Sequence, residues 1–236
     1  MKKYVLGILL LSQVTTGIAQ NSTAIKLPSA INKTVLSNTD IGRGLKEALT
    51  IGVNKATQKL SAVDGFYKDP LVKISMPPEA ELVSTNLNKI GLAYLVDSVV
   101  VSMNRAAENA CVQVAPVFLG AIKQISFQEA MSILKGSENA ATEYLKTKAS
   151  DSIKIIIEPI IENSLKQTKT VELWNTVFKA YNKIPFVQKV NPNLSQYVTE
   201  KTLQAVFSKI ALEEKTIRTN SAAQTSSILK SVFGGK

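Results

Sequence analysis

The pattern of hydrophobic and polar positions predicts helices along most of the chain. Leu92 to Val114 carries the clearest signal, since its apolar residues fall on one stripe at about 100° per residue, as in an amphipathic helix. Asp40, Ser126 and Asn193 can each cap the N-terminus of a helix, and Ser126 with Glu129 forms a capping-box pattern. Further helices are predicted over residues 40–60, 126–135, 137–149, 170–182, 193–218 and 221–234.

Two segments are ambiguous. Residues 150–166 contain IKIIIEPII, in which β-branched residues favour a strand and Pro159 opposes a continuous helix. The isoleucines keep helical spacing after Asp151, so we interpret the segment as a buried helix kinked at Pro159. Residues 71–76 alternate in places between apolar and polar side chains, which allows a short extended segment. The prediction is an all-α fold, a single multi-helix domain of about eight to ten helices over residues 40–234.

The N-terminal residues have the pattern of a signal peptide. Lys2 and Lys3 precede an apolar run of eight residues, Tyr4 to Leu11, and Ala19 offers a cleavage site. Residues 1–19 are therefore a predicted signal peptide and residues 20–39 a loosely ordered leader, with an uncleaved anchor as the alternative. We expect an exported protein, periplasmic and not a lipoprotein, with no transmembrane helix in the mature chain.

Composition excludes much familiar chemistry. The chain has 236 residues, no histidine and one cysteine, Cys111. Nucleophilic sites that need histidine, His-ligated zinc, disulfide frameworks and iron–sulfur clusters are therefore excluded. We predict no catalytic residue, metal ligand or cofactor, and we expect Cys111 to be a small buried hydrophobe. The aromatic stripe Trp174, Phe178 and Tyr181 is expected to belong to the core.

The basic charge is unevenly placed. The net charge is +10, yet residues 163–236 alone carry 11 basic and 4 acidic side chains. Lys179, Lys183 and Lys189 form a candidate basic surface for anionic membrane or glycan, with a solvated lysine-rich surface as the alternative. With only three arginines among the 28 basic residues, we expect no nucleic-acid partner.

The most distinctive polar residues lie in two places. Asp97, Asn104, Arg105 and Glu108 share one face of the 92–114 helix, opposite its apolar stripe, and form a candidate polar site. This face is expected to be solvated, to pair with another element, or to serve chemistry. Because arginine is scarce here, Arg43, Arg105 and Arg218 are candidates for semi-buried ion pairs. Phe66, Tyr67, Lys68 and Asp69 form a candidate pocket loop, with a packed loop anchored by Phe66 as the alternative.

Many ordered segments, including DGFYKDPLVKI, SMNRAAE, AIKQISFQEAMSILKG and YNKIPFVQKVNPNLSQYV, resemble the bacterial domain-of-unknown-function 4197 family over about residues 40–234. The resemblance implies an exported or envelope-associated, mostly helical protein with no established activity and no catalytic residues to transfer. Many members look like lipoproteins, whereas this chain has no cysteine near the predicted cleavage site.

Three functional hypotheses remain open. The first is a non-enzymatic binding or scaffold module of the cell envelope, for a hydrophobic or amphiphilic ligand such as a lipid or for an envelope protein. The second is a histidine-free enzyme in which Glu108 or Asp97 acts as acid or base and Arg105 orients an anionic substrate. The third is a peripheral binder of anionic membrane or glycan through the basic C-terminal third. The oligomeric state is left open.

Overall fold

The computed structural model describes residues 37–89, 91–183, 185, 186, 189 and 193–234. The predicted signal peptide lies outside these residues, as does the predicted leader up to residue 36. The described chain forms nine α-helices and two short 3-10 turns, Pro78–Ala80 and Ser221–Ala223, and contains no strand. The helices are α1 Asn38–Ser61, α2 Glu81–Lys89, α3 Ala93–Cys111, α4 Val114–Lys123, α5 Phe127–Lys135, α6 Ala140–Gln167, α7 Thr170–Tyr181, α8 Leu194–Thr219 and α9 Ser227–Phe233. The all-α prediction is confirmed.

The long helices α1, α3, α6 and α8 build the core. α8 packs against α6, α1 and α3, and α4 fills the space between α1 and α6. Phe118 of α4 meets Phe207 of α8 edge to face, with ring centroids 5.6 Å apart. Cys111 is fully buried, as expected, and this burial raises the pKa of its thiol. The core thus occupies the centre of the helices, while α2 and α7 lie at its margin.

Several local signals are confirmed. Ser126 and Glu129 form the expected capping box at the start of α5, and the Asn193 side chain accepts a hydrogen bond from the Gln196 amide at the start of α8. The aromatic stripe of α7 packs as expected. Trp174 and Phe178 are both buried, and their ring centroids lie 4.1 Å apart.

Other boundaries were predicted wrongly. Ser37, rather than Asp40, caps α1, because the Ser37 hydroxyl accepts a hydrogen bond from the Asp40 amide. Ser226 caps α9, so the last helix begins at Ser227 and not at residue 221 as predicted. The 92–114 stripe belongs to two helices, since α3 ends at Cys111 and α4 begins at Val114. Residues 73–77 have no regular secondary structure.

The largest difference concerns α6, which runs unbroken through the residues predicted as two helices. Pro159 lies inside it and cannot donate a hydrogen bond to the carbonyl of Ile155. Both residues are exposed, so water can satisfy that carbonyl. On the opposite face Ile153, Ile157 and Ile161 are fully buried. Burial of this isoleucine face stabilises the helix enough to carry the proline on its outer side.

Candidate functional site

The polar face of α3 holds the loop between α1 and α2, residues 62–77, which we call the α1–α2 loop. Glu108 is buried, and its Oε1 accepts hydrogen bonds from the backbone amides of Phe66 at 3.1 Å and Tyr67 at 3.3 Å. Arg105 Nη1 donates to Glu108 Oε2 at 2.6 Å. Apart from Asp97, the candidate polar site therefore contacts the candidate pocket loop, although the two were predicted separately.

Asp64 extends this network toward solvent. Arg105 Nη2 donates to Asp64 Oδ1 at 2.6 Å, and Lys68 Nζ lies 2.8 Å from Asp64 Oδ2. The pKa of the Asp64 carboxyl lies below its ordinary value of 3.8 because Lys68 and Arg105 both donate hydrogen bonds to the charged form. The same ion pairs, first with Glu108 and then with Asp64, raise the pKa of Arg105. Arg105, predicted as a candidate for a semi-buried ion pair, thus pairs with both Glu108 and Asp64.

Asn104 fixes the second half of the loop. Its side chain is fully buried; Oδ1 accepts a hydrogen bond from the Ile74 amide at 2.9 Å, and Nδ2 donates to the Ile74 carbonyl at 2.8 Å. Nδ2 also donates to the Val100 carbonyl at 2.7 Å, so both ends of the amide have partners. A neighbouring strand would satisfy the Ile74 backbone in the same way, and Asn104 takes its place. This explains why the segment lies close to the core without being part of a sheet.

The rest of the loop is also tied to the helices. Phe66 is fully buried, as the packed-loop alternative expected, and Lys209 of α8 forms an ion pair with Asp69. The pKa of the Asp69 carboxyl is lowered because Lys209 donates a hydrogen bond to it. Gly65 is required by space, since a Cβ there would stand 2.2 Å from the Lys59 carbonyl oxygen. The sequence DGFY therefore specifies a turn that only glycine can make at its second position.

Asp97 takes no part in this network. It is exposed, no hydrogen bond or ion pair joins it to another described residue, and it lies about 16 Å along the axis of α3 from Glu108. The two carboxylates therefore do not act on one bond, a role that requires a separation below about 10 Å. Glu108 accepts hydrogen bonds from two backbone amides and one guanidinium, which is the arrangement of a residue that holds a loop. The geometry favours a structural role for this polar site.

A second buried network was missed by sequence reasoning. Glu214 of α8 accepts hydrogen bonds from the backbone amides of Ala141 and Thr142, in the first turn of α6, at 3.0 and 2.8 Å. Arg218 pairs with Glu214 at 2.9 Å and donates to the Ile133 carbonyl, near the end of α5, at 3.0 Å. One ion pair therefore caps the end of α5 and the start of α6. The scarcity of arginine correctly marked Arg218, and the acid four residues before it was the available signal.

The other predicted ion pair is weaker. Arg43 lies 3.5 Å from Asp40, and its side chain is largely exposed, so this contact contributes little. Across the described residues, no group of three or more histidine, cysteine or acidic side chains is arranged to hold a metal ion.

An apolar cleft of about 70 Å³ opens between α2, α3 and α7. Sites for small molecules are mostly apolar and have volumes of about 300–1,000 Å³, so the lining is suitable, whereas a ligand of that size requires the cleft to widen. None of the described residues that line it is charged. They are Met76, Val83, Leu87, Leu95, Val96, Val99, Leu173, Trp174, Val177 and Phe178.

Trp174, one of the residues that line this cleft, has an unsatisfied donor. The indole Nε1 of Trp174 is buried and has no hydrogen-bond partner among the described residues. An unpaired buried donor of this kind costs about 1–3 kcal/mol. Each neighbour of Trp174 in the cleft wall is apolar, so the cleft itself supplies no acceptor side chain. The aromatic stripe is thus part of the core, as expected, and also forms one side of an open cleft.

A second apolar cavity, of about 20 Å³, lies between α1, α8 and α9. Its charged lining residues are Glu214 and Arg218, which pair with each other and with backbone groups. No unsatisfied polar atom lines this cavity. Its chemistry therefore gives no reason to expect a ligand, in contrast with the cleft beside Trp174.

The candidate basic surface lies on α7 and on the segment that follows it. Lys179, Lys183 and Lys189 are all exposed. Phe186 lies between the last two in sequence, and its side chain is fully exposed, at 108%. Its φ of 65° is unusual for a large residue. Cations that flank an exposed aromatic side chain are typical of surfaces that contact membranes.

No single helix of the described chain is long and apolar enough to cross a membrane. No curated protein and no solved structure matches the sequence. A family model, described as a protein of unknown function (DUF4197), matches residues 35–234, which include all nine helices. The chain therefore belongs to the DUF4197 family.

Proposed function

We propose that this protein is a non-enzymatic binding module that holds an apolar or amphiphilic small molecule in the cleft between α2, α3 and α7. The observation that carries the proposal is the uncharged, apolar lining of a cleft that is open to solvent. An occupant would cover the apolar wall and exclude water from it.

The construction of the cleft supports this reading. Its floor is α3, which the core fixes, while α2 packs mainly against α3 and contributes Val83 and Leu87 to the opposite wall. Apart from Ser84, the α2 side chains are at most half-buried. Pro77 and Pro78 precede α2, and Gly91, with a φ of 80°, follows it. A short helix with weak packing between these two flanks can move aside more easily than a core helix, so a ligand can enter here.

The predicted signal peptide supplies the cellular context of the proposal. An exported chain would meet its ligand in the cell envelope, where single-chain amphiphiles and lipid fragments are abundant apolar molecules. The absence of charge in the described lining means that the buried part of the ligand is neutral. A charged head group, where present, would stay at the mouth of the cleft.

Fluorescence provides the test, because Trp174 is the only tryptophan of the chain. The uncharged probe N-phenyl-naphthylamine is titrated into the full protein, and we expect saturable probe fluorescence excited by energy transfer from Trp174. Leu173→Glu puts a carboxylate into the cleft wall and should weaken binding by about tenfold or more.

The matched control is Leu212→Glu. Leu212 is an α8 leucine of similar exposure, 47% against 42% for Leu173, and it does not line the cleft. The control should bind the probe as the wild type does. Equal binding by both variants, or no saturable binding by the wild type, contradicts the proposal.

Phe186 favours a second candidate function, docking of the α7 end of the protein on an anionic lipid bilayer. Each lysine near such a surface contributes about 1 kcal/mol, and an inserted aromatic side chain adds a second attachment. Sedimentation with vesicles of mixed phosphatidylglycerol and phosphatidylcholine tests this. Binding should fall as salt rises, and it should be lost in Phe186→Ser but retained in Leu71→Ser, where the replaced side chain is also highly exposed. Binding that does not depend on salt or on Phe186 refutes this function.

A further inference from the structure

We infer that the groove between residues 71–76 and α8 binds a protein partner through an acidic, extended peptide segment, which pairs with the backbone of Lys73 and Ser75. This surface goes beyond the proposed ligand cleft. Among the described lining residues, the groove and the cleft share Met76.

The groove, which we call the α8 groove, consists of two adjoining hollows. Their volumes are about 390 and 540 Å³, and both are lined by Leu71, Val72 and Ser208. The α8 side of the groove extends from Tyr197 to Lys215, which is about 27 Å at 1.5 Å per residue. An extended peptide of about eight residues has this length.

The opposite side of the groove is an extended backbone with one free edge. Burial alternates along it, since Val72 and Ile74 are buried whereas Lys73 and Ser75 are exposed. The N–H and the C=O of Ile74 both bond to the side chain of Asn104. Because the C=O and N–H of a trans peptide unit point in opposite directions, the Lys73 C=O and the Ser75 N–H point away from Asn104.

These two groups face the α8 side and have no partner there. The hydroxyl of Tyr197, which lines the groove, donates to the Ser75 carbonyl at 3.1 Å, so this edge of the segment is turned toward α8. Neither the Lys73 C=O nor the Ser75 N–H forms a hydrogen bond with another described residue. A carbonyl and an amide that flank one residue are the pair that a parallel strand uses. One residue of the partner can therefore donate to Lys73 and accept from Ser75.

The charge of the groove selects an acidic partner. Lys73 and Lys201 line the 390 Å³ hollow, and no acidic side chain belongs to its described lining. Each stands over a tyrosine ring, Lys73 at 4.4 Å and Lys201 at 5.7 Å from the centroid, and neither forms an ion pair with a described acid. The two lysines of the other hollow are already paired with acids. The surplus positive charge therefore lies beside the free backbone edge, where it favours a carboxylate on the bound peptide.

The same charge argues against other occupants. Residues 20–36 of this chain contain two lysines and no acid, so they do not complement the groove. A second copy would bring a net charge of +10 toward an equal charge. An anionic bilayer would attract the lysines, but lipid phosphate has no N–H group to donate to the Lys73 carbonyl.

The test begins with a random library of peptides of about eight residues, displayed on phage and selected on the full protein. We expect the selected peptides to contain aspartate or glutamate, and a fluorescein-labelled selected peptide should bind saturably in an anisotropy titration. The double variant Lys73→Glu/Lys201→Glu should weaken this binding by about tenfold or more. The matched control Lys179→Glu/Lys183→Glu changes the net charge equally, away from the groove, and should stay within about twofold of the wild type.

A second pair of variants tests the backbone contact. Ser75→Pro removes the Ser75 N–H and should weaken binding by about tenfold, whereas Ser75→Ala keeps this N–H and should bind as the wild type does. Thermal melts show whether each variant is folded. In the wild type, the Ser75 amide resonance should move downfield and its hydrogen exchange should slow when the peptide binds, and this measurement needs no variant.

The outcomes are distinct. Acidic selected peptides, loss of binding in Lys73→Glu/Lys201→Glu and protection of the Ser75 amide together support the inference. It is wrong if no peptide is selected, if the selected peptides lack acids, or if the Ser75 amide does not respond. It is also wrong if only phosphatidylglycerol vesicles bind through Lys73 and Lys201, because the surface would then contact lipid.

Discussion

Removal of the Glu108 carboxylate should destabilise the domain strongly, although the residue lies on a helix face that looks solvent-exposed in sequence. Glu108→Ala leaves the amides of Phe66 and Tyr67 without an acceptor and removes one partner of Arg105. Each buried donor left unpaired costs about 1–3 kcal/mol, and breaking a buried charge pair costs about 3–5 kcal/mol. Arg105 is 39% exposed and keeps Asp64, so the amides account for most of the loss.

We therefore expect a loss of about 3–5 kcal/mol in the free energy of unfolding. For a domain of this length, each kcal/mol lowers Tm by about 2–4 °C, so the expected decrease is about 6–20 °C. Thermal melts followed by far-ultraviolet circular dichroism at neutral pH measure it. Asp97→Ala is the matched control, because Asp97 is an exposed carboxylate on the same helix. The control should change stability by less than about 0.5 kcal/mol.

A Glu108→Ala melt within experimental error of the Asp97→Ala melt would refute the assignment of Glu108 as the anchor of the α1–α2 loop. The double variant with Arg105→Ala sharpens the test. Since the two side chains share one ion pair, the double variant should lose less stability than the sum of the single changes. If the losses of the two single variants add exactly, the 2.6 Å contact between Arg105 and Glu108 contributes nothing to stability.

Three further predictions follow from contacts described above. Gly65→Ala should unfold or strongly destabilise the protein, since its Cβ would stand 2.2 Å from a backbone oxygen. Gly120 lies inside α4 with open space around it, so Gly120→Ala should raise stability by about 0.5–1 kcal/mol in the same melts. Glu214→Ala should cost about 3–5 kcal/mol in urea unfolding, and Glu213→Ala, which breaks only a partly exposed pair, under about 1 kcal/mol. Asp69→Asn should be less stable than wild type at neutral pH. The pKa of Asp69 in the folded protein lies below 3.8, so the unfolded chain takes up the proton first as pH falls. The difference in Tm between the wild type and Asp69→Asn should therefore shrink as pH falls from about 5 to about 2. A difference that stays constant over this range contradicts the assigned ion pair.

The outcome of sequence reasoning differs between local and long-range features. The capping box at Ser126 and Glu129 and the cap at Asn193 were predictable because both partners lie within three residues. The start of α6 was not, because Asn139 makes no side-chain cap there and the acceptor is Glu214, far along the chain. The continuity of α6 through Pro159 likewise depends on burial of its opposite face, which only the packed structure reveals.

The polar site shows the same division. The scarcity of arginine correctly predicted an ion pair for Arg105, and composition marked the GFYKDP loop as unusual. That Glu108 binds the amides of this loop could not be read from spacing, since more than 40 residues separate them in sequence. The cleft beside Trp174 was hidden for a different reason. An apolar stripe has the same sequence pattern whether its neighbour packs tightly against it or leaves open space.

The central position of α8 bears on how the chain acquires its fold during synthesis. α8 spans Leu194–Thr219, close to the C-terminus, yet it packs on α1, α3 and α6 and provides the caps of two earlier helices. Until α8 has left the ribosome, the start of α6 lacks its acceptor and the apolar faces of α1 and α6 lack their common partner. Helices α1 to α7 should therefore remain loosely packed until α8 joins them. Folding then completes in one late step, after a period in which the chain stays extensible and accessible to chaperones.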